Sequence, residues 1–134
     1  MGQYAFPRQC RLLQAGDYRV VFNKADIRVS HRHFLILATD TGLSHPRVGL
    51  VFSKKNLKLS VQRNRIKRLV RETFRVQQST LPELDIVVLG RRGLDTLDNR
   101  DVILILDRLW QRLCQEAKRR QAAKSDVQTT QRQD

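Results

Sequence analysis

Nine basic side chains stand between Ser53 and Arg75: Lys54, Lys55, Lys58, Arg63, Arg65, Lys67, Arg68, Arg71 and Arg75. They face one acid, Glu72. Guanidinium forks meet phosphate oxygens two at a time and stack on bases, whereas an ammonium is a point charge. A surface this rich in arginine is therefore suited to gripping a polyanion. This 23-residue segment holds +8 of a net charge of +13, and the other 111 residues share 17 bases and 12 acids. Charge gathered in this way marks a site rather than general solubility. Nucleic acid is the first class of partner it suggests and an anionic membrane the second.

Other groups that could do chemistry are sparse. Hydrolysis at a protein site needs paired carboxylates on metal ions, or a His/Lys acid–base set. Asp95, Asp98 and Asp101 cluster where a helix should begin, and capping and the helix dipole explain acids there. His31 and His33 alternate along the chain and His45 lies in a turn. Two lone imidazoles are a weak metal signal, and surface or RNA-contacting roles fit them better. Gly42, Gly49, Gly90 and Gly93 form no phosphate-cradling loop. No catalytic residue and no protein-held metal are assigned. Cys10 and Cys114 show no CxxC or Cys/His spacing, which suits a reducing compartment. The start "MGQYAFPRQC" lacks an apolar signal core, and no run nears the roughly 18 apolar residues of a membrane span, so a cytoplasmic protein is expected.

The elements that must position these residues follow from periodicity. "FPRQCRLLQ" is irregular or extended around Pro7. In "AGDYRVVFNKA", Tyr18, Val21 and Phe22 recur at i, i+3, i+4 behind a possible Asp17 cap, which predicts a short helix. "IRVSHRHFLILAT" is strand material, firmest over Phe34–Thr39, and "DTGLSHP" is turn chemistry. "RVGLVFS" is a second strand, followed by the basic helix, a break at Pro82, and "DIVVLG" as a buried strand. "RRGLDTLDN" is a loop ending in capping residues. Ile103, Leu106, Trp110, Leu113 and Ala117 mark an amphipathic helix from about Arg100. One domain over 1–118 and a disordered polar tail over 119–134 are expected. The order of elements predicts an α+β sandwich, one small sheet with helices packed on it.

On the basic helix, Ile66, Leu69, Val70, Thr73 and Phe74 fall within an arc of about 140° and should face the core. Asn64, Arg68, Arg71 and Arg75 fall together on the opposite side, flanked by Arg65 and Lys67. A merely solvated face would mix signs, since like charges at i, i+4 are destabilising. A membrane helix would need an apolar face free to enter lipid, and this stripe is needed by the core.

"FSKKNLKLSVQRNRIKRLVRETFR", with Arg63-Asn64-Arg65 at its centre, resembles the signature of the bacterial ribonuclease P protein subunit. The resemblance extends through "AFPRQCRLLQAGDYRVVF", "HPRVGL", "ELDIVVLGRRGLDTLDN" and "LWQRLC". It implies a two-layer α/β sandwich similar to domain 2 of ribosomal protein S5. It also implies a left-handed βαβ crossover, where the ordinary rule for the strand–helix–strand unit Arg47–Gly90 is right-handed. By the same resemblance, the chain would be the RNA-binding subunit of a ribonucleoprotein endoribonuclease. That enzyme's catalytic RNA, with divalent metal such as magnesium, removes the 5′ leader from precursor tRNA, and the protein broadens the substrate range. One protein per RNA is expected, with catalytic RNA and precursor tRNA as partners and no membrane.

Two sets of residues fit those tasks. Lys54, Lys55, Arg63, Asn64, Arg65, Lys67, Arg68, Arg71 and Arg75 would meet the catalytic RNA. Tyr18 and Phe22 match family positions holding aromatics that line the leader groove, with Leu35 and Leu37 as its floor; a ring can stack on any base. Some members carry an aromatic where this chain has Leu37, and the Gly common after the Lys-Lys pair gives way to "NLKLS". A structural ribosomal or general RNA-binding protein of similar fold is the alternative. A DNA-binding helix factor finds no turn-linked helix ahead of the basic one.

Overall fold

The computed structural model describes residues 15–40 and 45–133. The expectations for the segment around Pro7, for Cys10 and for the turn at 41–44 lie outside the described residues. The chain forms α1 (Ala15–Lys24), β1 (Ile27–Ser30), β2 (Phe34–Asp40), β3 (Arg47–Val51), α2 (Ser60–Gln77), β4 (Leu84–Gly90), a 3-10 turn (Leu94–Thr96) and α3 (Asn99–Gln133). The sheet order is β1-β2-β4-β3. β2 pairs antiparallel with both β1 and β4, and β3 lies parallel to β4. Parallel neighbours need a long crossover, and α2 supplies it.

Side chains alternate across a strand, so β2 and β4 bury residues on both faces of the sheet. Phe34, Ile36 and Ala38 with Ile86 and Val88 meet α2 and α3 in the larger core. Leu35, Leu37, Val87 and Leu89 point the other way, toward Tyr18 and Val21 of α1. Burial on both faces explains why "DIVVLG" is almost wholly apolar. α2 buries Ile66, Leu69, Val70, Thr73 and Phe74, the stripe its periodicity predicts. Thr73 belongs there because its hydroxyl donates to Leu69 O and accepts from Trp110 Nε1 (2.8 Å), so neither buried polar group lacks a partner. Each fully buried large apolar side chain contributes about 1.5–3 kcal/mol relative to exposure.

The structure differs from the sequence reading in three places. The strand material Ile27–Thr39 divides into a hairpin with its tip at His31–His33. No Gly or Asn-Gly marks that turn; instead the His33 N–H donates to His31 Nδ1 (3.0 Å) and His31 N–H to Phe34 O (2.8 Å). α3 runs to Gln133, beyond Lys118 where a disordered tail is expected. Its Ala, Gln, Lys and Arg residues are helix formers, and no Gly or Pro interrupts them. Asp17 sits inside the first turn of α1 rather than capping it. At the start of α3 the capping expectation holds, with Asp98 Oδ1 accepting from Asp101 N–H at 2.8 Å.

Candidate nucleic-acid interface

α2 turns its buried stripe inward and leaves Asn64, Arg68 and Arg71 exposed. Arg68 is the most open of the ion-paired residues on this helix, with 79% of its side chain accessible and one contact, 3.3 Å, to Glu72. Lys67 and Arg75 are half-buried on the flanks, and Arg75 Nε is enclosed with no hydrogen-bond partner. Lys54 and Lys55 are exposed on the loop before the helix.

Arg63 and Arg65 are placed differently from the rest. Arg63 Nη1 donates to the carbonyls of Leu57 (2.8 Å) and Lys58 (2.9 Å), closing the loop that enters α2. Arg65 donates from Nε to Gln62 Oε1, from Nη1 to Asn99 Oδ1 (2.7 Å), and from Nη2 to Leu94 O and Leu97 O. It ties α2 to the 3-10 turn and to the first residue of α3. The two arginines that frame Asn64 therefore hold loops, and the amide between them faces solvent.

The Lys54–Leu59 loop answers the question raised by "NLKLS". Asn56 N–H and Leu57 N–H both donate to Ser53 O, Asn56 Nδ2 reaches Gly90 O (3.0 Å), and Leu57 is buried. Among the described residues Gly93 alone has positive φ, so this turn needs no glycine. A cleft of about 860 Å³ opens between it and the loop after β4, lined by Lys55, Asn56, Lys58, Gln62, Arg92 and Asp95 among others. Lys58 and Arg92 are cations that the site reading left out. Nothing in spacing along the chain brings Arg92 to Lys55; the pairing of β4 with β3 does.

On the other face of the sheet, Tyr18, Leu35 and Leu37 share one cluster with Val21 and Val87. The Tyr18 ring lies against Gly49, where a Cβ would meet ring carbon Cε1 at 2.5 Å. Leu37 is only 8% exposed, covered by α1, so it supports the face rather than flooring an open groove. Phe22 lies outside the cluster and is 45% exposed. Arg47 of β3 forks onto the buried carboxylate of Asp85 in β4 (2.8 and 2.6 Å) and reaches Asp17 of α1 at 3.5 Å. The carboxylate's hydrogen bond, the largest influence, raises the Arg47 pKa. This triad fixes α1 over the sheet. Among the described residues, no group of three or more His, Cys, Asp or Glu is placed to hold a metal ion, and no helix is long and apolar enough to cross a membrane.

The model of the ribonuclease P family matches residues 6–114. The chain belongs to the bacterial ribonuclease P protein family. It is 59% identical over 113 residues to the ribonuclease P protein component of Marinobacter nauticus, covering 84% of this chain and 85% of that one. It is 49% identical to that of Chromohalobacter salexigens over 92% of this chain and 96% of the relative. The solved RNase P protein of Staphylococcus aureus superposes with a TM-score of 0.71 at 27% identity, covering 76% of this chain and 93% of that one. That of Thermotoga maritima gives 0.64 at 29% identity, over 75% and 96%. Family membership sets aside the ribosomal alternative, and the four-stranded sheet with helices is the ribonuclease P protein fold.

Proposed function

We propose that this ribonuclease P protein component binds the catalytic RNA through the outer face of α2 and the 5′ leader of precursor tRNA on the α1 face of the sheet. The chain is part of a tRNA-processing ribonucleoprotein. In our reading the RNA, with its divalent metal ions, carries out the hydrolysis. The protein supplies positive charge and stacking surface, one copy per RNA. The observation that carries this reading is the exposed run Asn64, Arg68 and Arg71, with Lys54 and Lys55 beside it, all anchored on a helix whose opposite face is core. These groups bind phosphate and donate hydrogen bonds; none is placed as a nucleophile with a base. The half-buried ring of Tyr18 and the exposed ring of Phe22 supply the apolar faces that unpaired bases stack on.

The test is cleavage of precursor tRNA by the catalytic RNA at low magnesium, with and without the chain, beside the affinity of the reconstituted particle for leader-bearing and mature tRNA. Cleavage should depend on the protein, and the leader should strengthen binding. Equal affinity for the two tRNAs would remove the leader contact, and cleavage indifferent to the protein would remove the function.

A further inference from the structure

A second group of cations gathers at the β1–β2 hairpin tip, where the sequence places surface or RNA-contacting histidines, and at the loop after β4. Arg91 Nη1 donates to Ser30 Oγ (3.1 Å) and His31 O (2.8 Å), and Arg91 N–H donates to His33 O (2.9 Å). Arg112 of α3 reaches Ser30 O at 3.4 Å. Arg32 and Arg112 are exposed, and the two imidazole centroids lie 5.8 Å apart. Among the described residues Arg47, Arg68, Arg119 and Arg120 each meet a carboxylate, whereas Arg32, Arg91, Arg92 and Arg112 meet none. The loop after β4 and α3 thus bring Arg91 and Arg112 to the hairpin tip, and neither is ion-paired among the described residues.

The hydrogen bonds also dictate the two histidine tautomers. His31 Nδ1 accepts from the His33 N–H, so the neutral ring carries its proton on Nε2 and offers a donor. His33 Nδ1 lies 3.0 Å from Arg92 O, which can only accept, so its proton sits on Nδ1. The neutral His31 ring therefore presents a donor at Nε2, whereas the neutral His33 ring presents an acceptor there. The cations that act on the His31 ring are Arg91 from the loop after β4 and Arg112 from α3, and Arg32, between the two histidines in the chain, is exposed. Through Arg92 and Gly93 the tip continues into the cleft lined by Lys55 and Lys58.

We propose that the hairpin tip is a second phosphate site for RNA, in which Arg32, Arg112 and the Nε2–H of His31 take a backbone phosphodiester apart from α2. This rests on the reading of the chain as an RNA-binding subunit. Burial first, and then His33, Arg112 and Arg91, hold the His31 pKa below its ordinary value; a bound phosphate opposes those cations.

The test measures full-length protein binding to the catalytic RNA, and the reconstituted particle binding to precursor tRNA, across a salt series. Arg32→Ala/Arg112→Ala, with Arg91 left to hold the hairpin, should flatten one of the two log–log slopes by about one to two, and Arg32→Lys/Arg112→Lys should restore it. Unchanged slopes in the double Ala variant, while Arg68→Ala on α2 flattens its own, overturn the tip site and leave the RNA reading intact. Unchanged slopes in both variants overturn the two together. Loss of binding to phosphatidylglycerol vesicles with RNA slopes unchanged overturns the proposal in favour of a membrane contact.

Discussion

Arg65 fills its guanidinium with Gln62, Asn99 and the carbonyls of Leu94 and Leu97, while Arg68, three residues on, meets only Glu72. Hydrogen bonds from a charged group contribute about 1.5–3 kcal/mol each when buried, and less where water competes. Arg65→Ala should therefore lower unfolding free energy by about 2–3 kcal/mol in urea denaturation. Arg65→Lys should recover little, because an ammonium cannot span acceptors on two elements. Arg68→Ala should leave stability within about 0.5 kcal/mol and act on RNA affinity alone. The pH dependence of stability has a sign fixed by His31, whose pKa is lowered by burial first and then by His33, Arg112 and Arg91. With the folded pKa depressed, the unfolded chain takes up the proton first. The folded state is then at full stability above about pH 6.5 and loses it as pH falls below that value. Thermal melts should show Tm falling on that side, and His31→Asn, which keeps an acceptor for the His33 N–H, should remove part of the fall.

α1 owes its position to Val21 beneath it and to the triad Asp17–Arg47–Asp85 at its side. Arg47→Ala leaves Asp85, 2% exposed, without its partner. Breaking a buried pair costs about 3–5 kcal/mol, and the partial exposure of Arg47 brings the expected loss to about 2–4 kcal/mol. Gly49→Ala should displace the Tyr18 ring and weaken leader binding more than stability, read as particle affinity against Tm. Among the residues of α3 whose burial is described, Ala117 is the last buried one, and Lys118, Arg119, Arg120 and Ala122 are exposed. The ion pairs Arg119–Glu116 (3.8 Å) and Arg120–Asp26 (3.9 Å) lie at the surface. Removing residues 119–134 should cost under about 1 kcal/mol, leaving 1–118 as the folding unit.

The molecule as a whole carries +13, concentrated where α2 meets the Lys54–Leu59 loop. If α2 and its neighbours neutralise about five phosphates, the log–log salt slope of RNA binding should lie near −3.5 to −4.5, and a slope near zero would take this surface out of the interface. Most helices and strands, the buried stripe of α2 and the Asp98 cap were legible in the chain, because periodicity and capping are local properties that a few neighbouring residues carry. The basic segment and its resemblance were legible for the same reason: charge density and motif spacing need no third dimension. The hairpin at His31–His33 was not, since its turn is closed by an imidazole and clamped by Arg91, 60 residues away. Neither was the division of labour among the arginines. A helical wheel sets Arg65 at the edge of the cationic face, but only packing brings the Leu94 and Leu97 carbonyls within its reach. Composition thus decided that the proposed RNA surface is cationic. Tertiary structure decided which of its cations are taken up by protein acceptors and which face solvent, because a guanidinium turns to whichever acceptors the fold has already placed beside it.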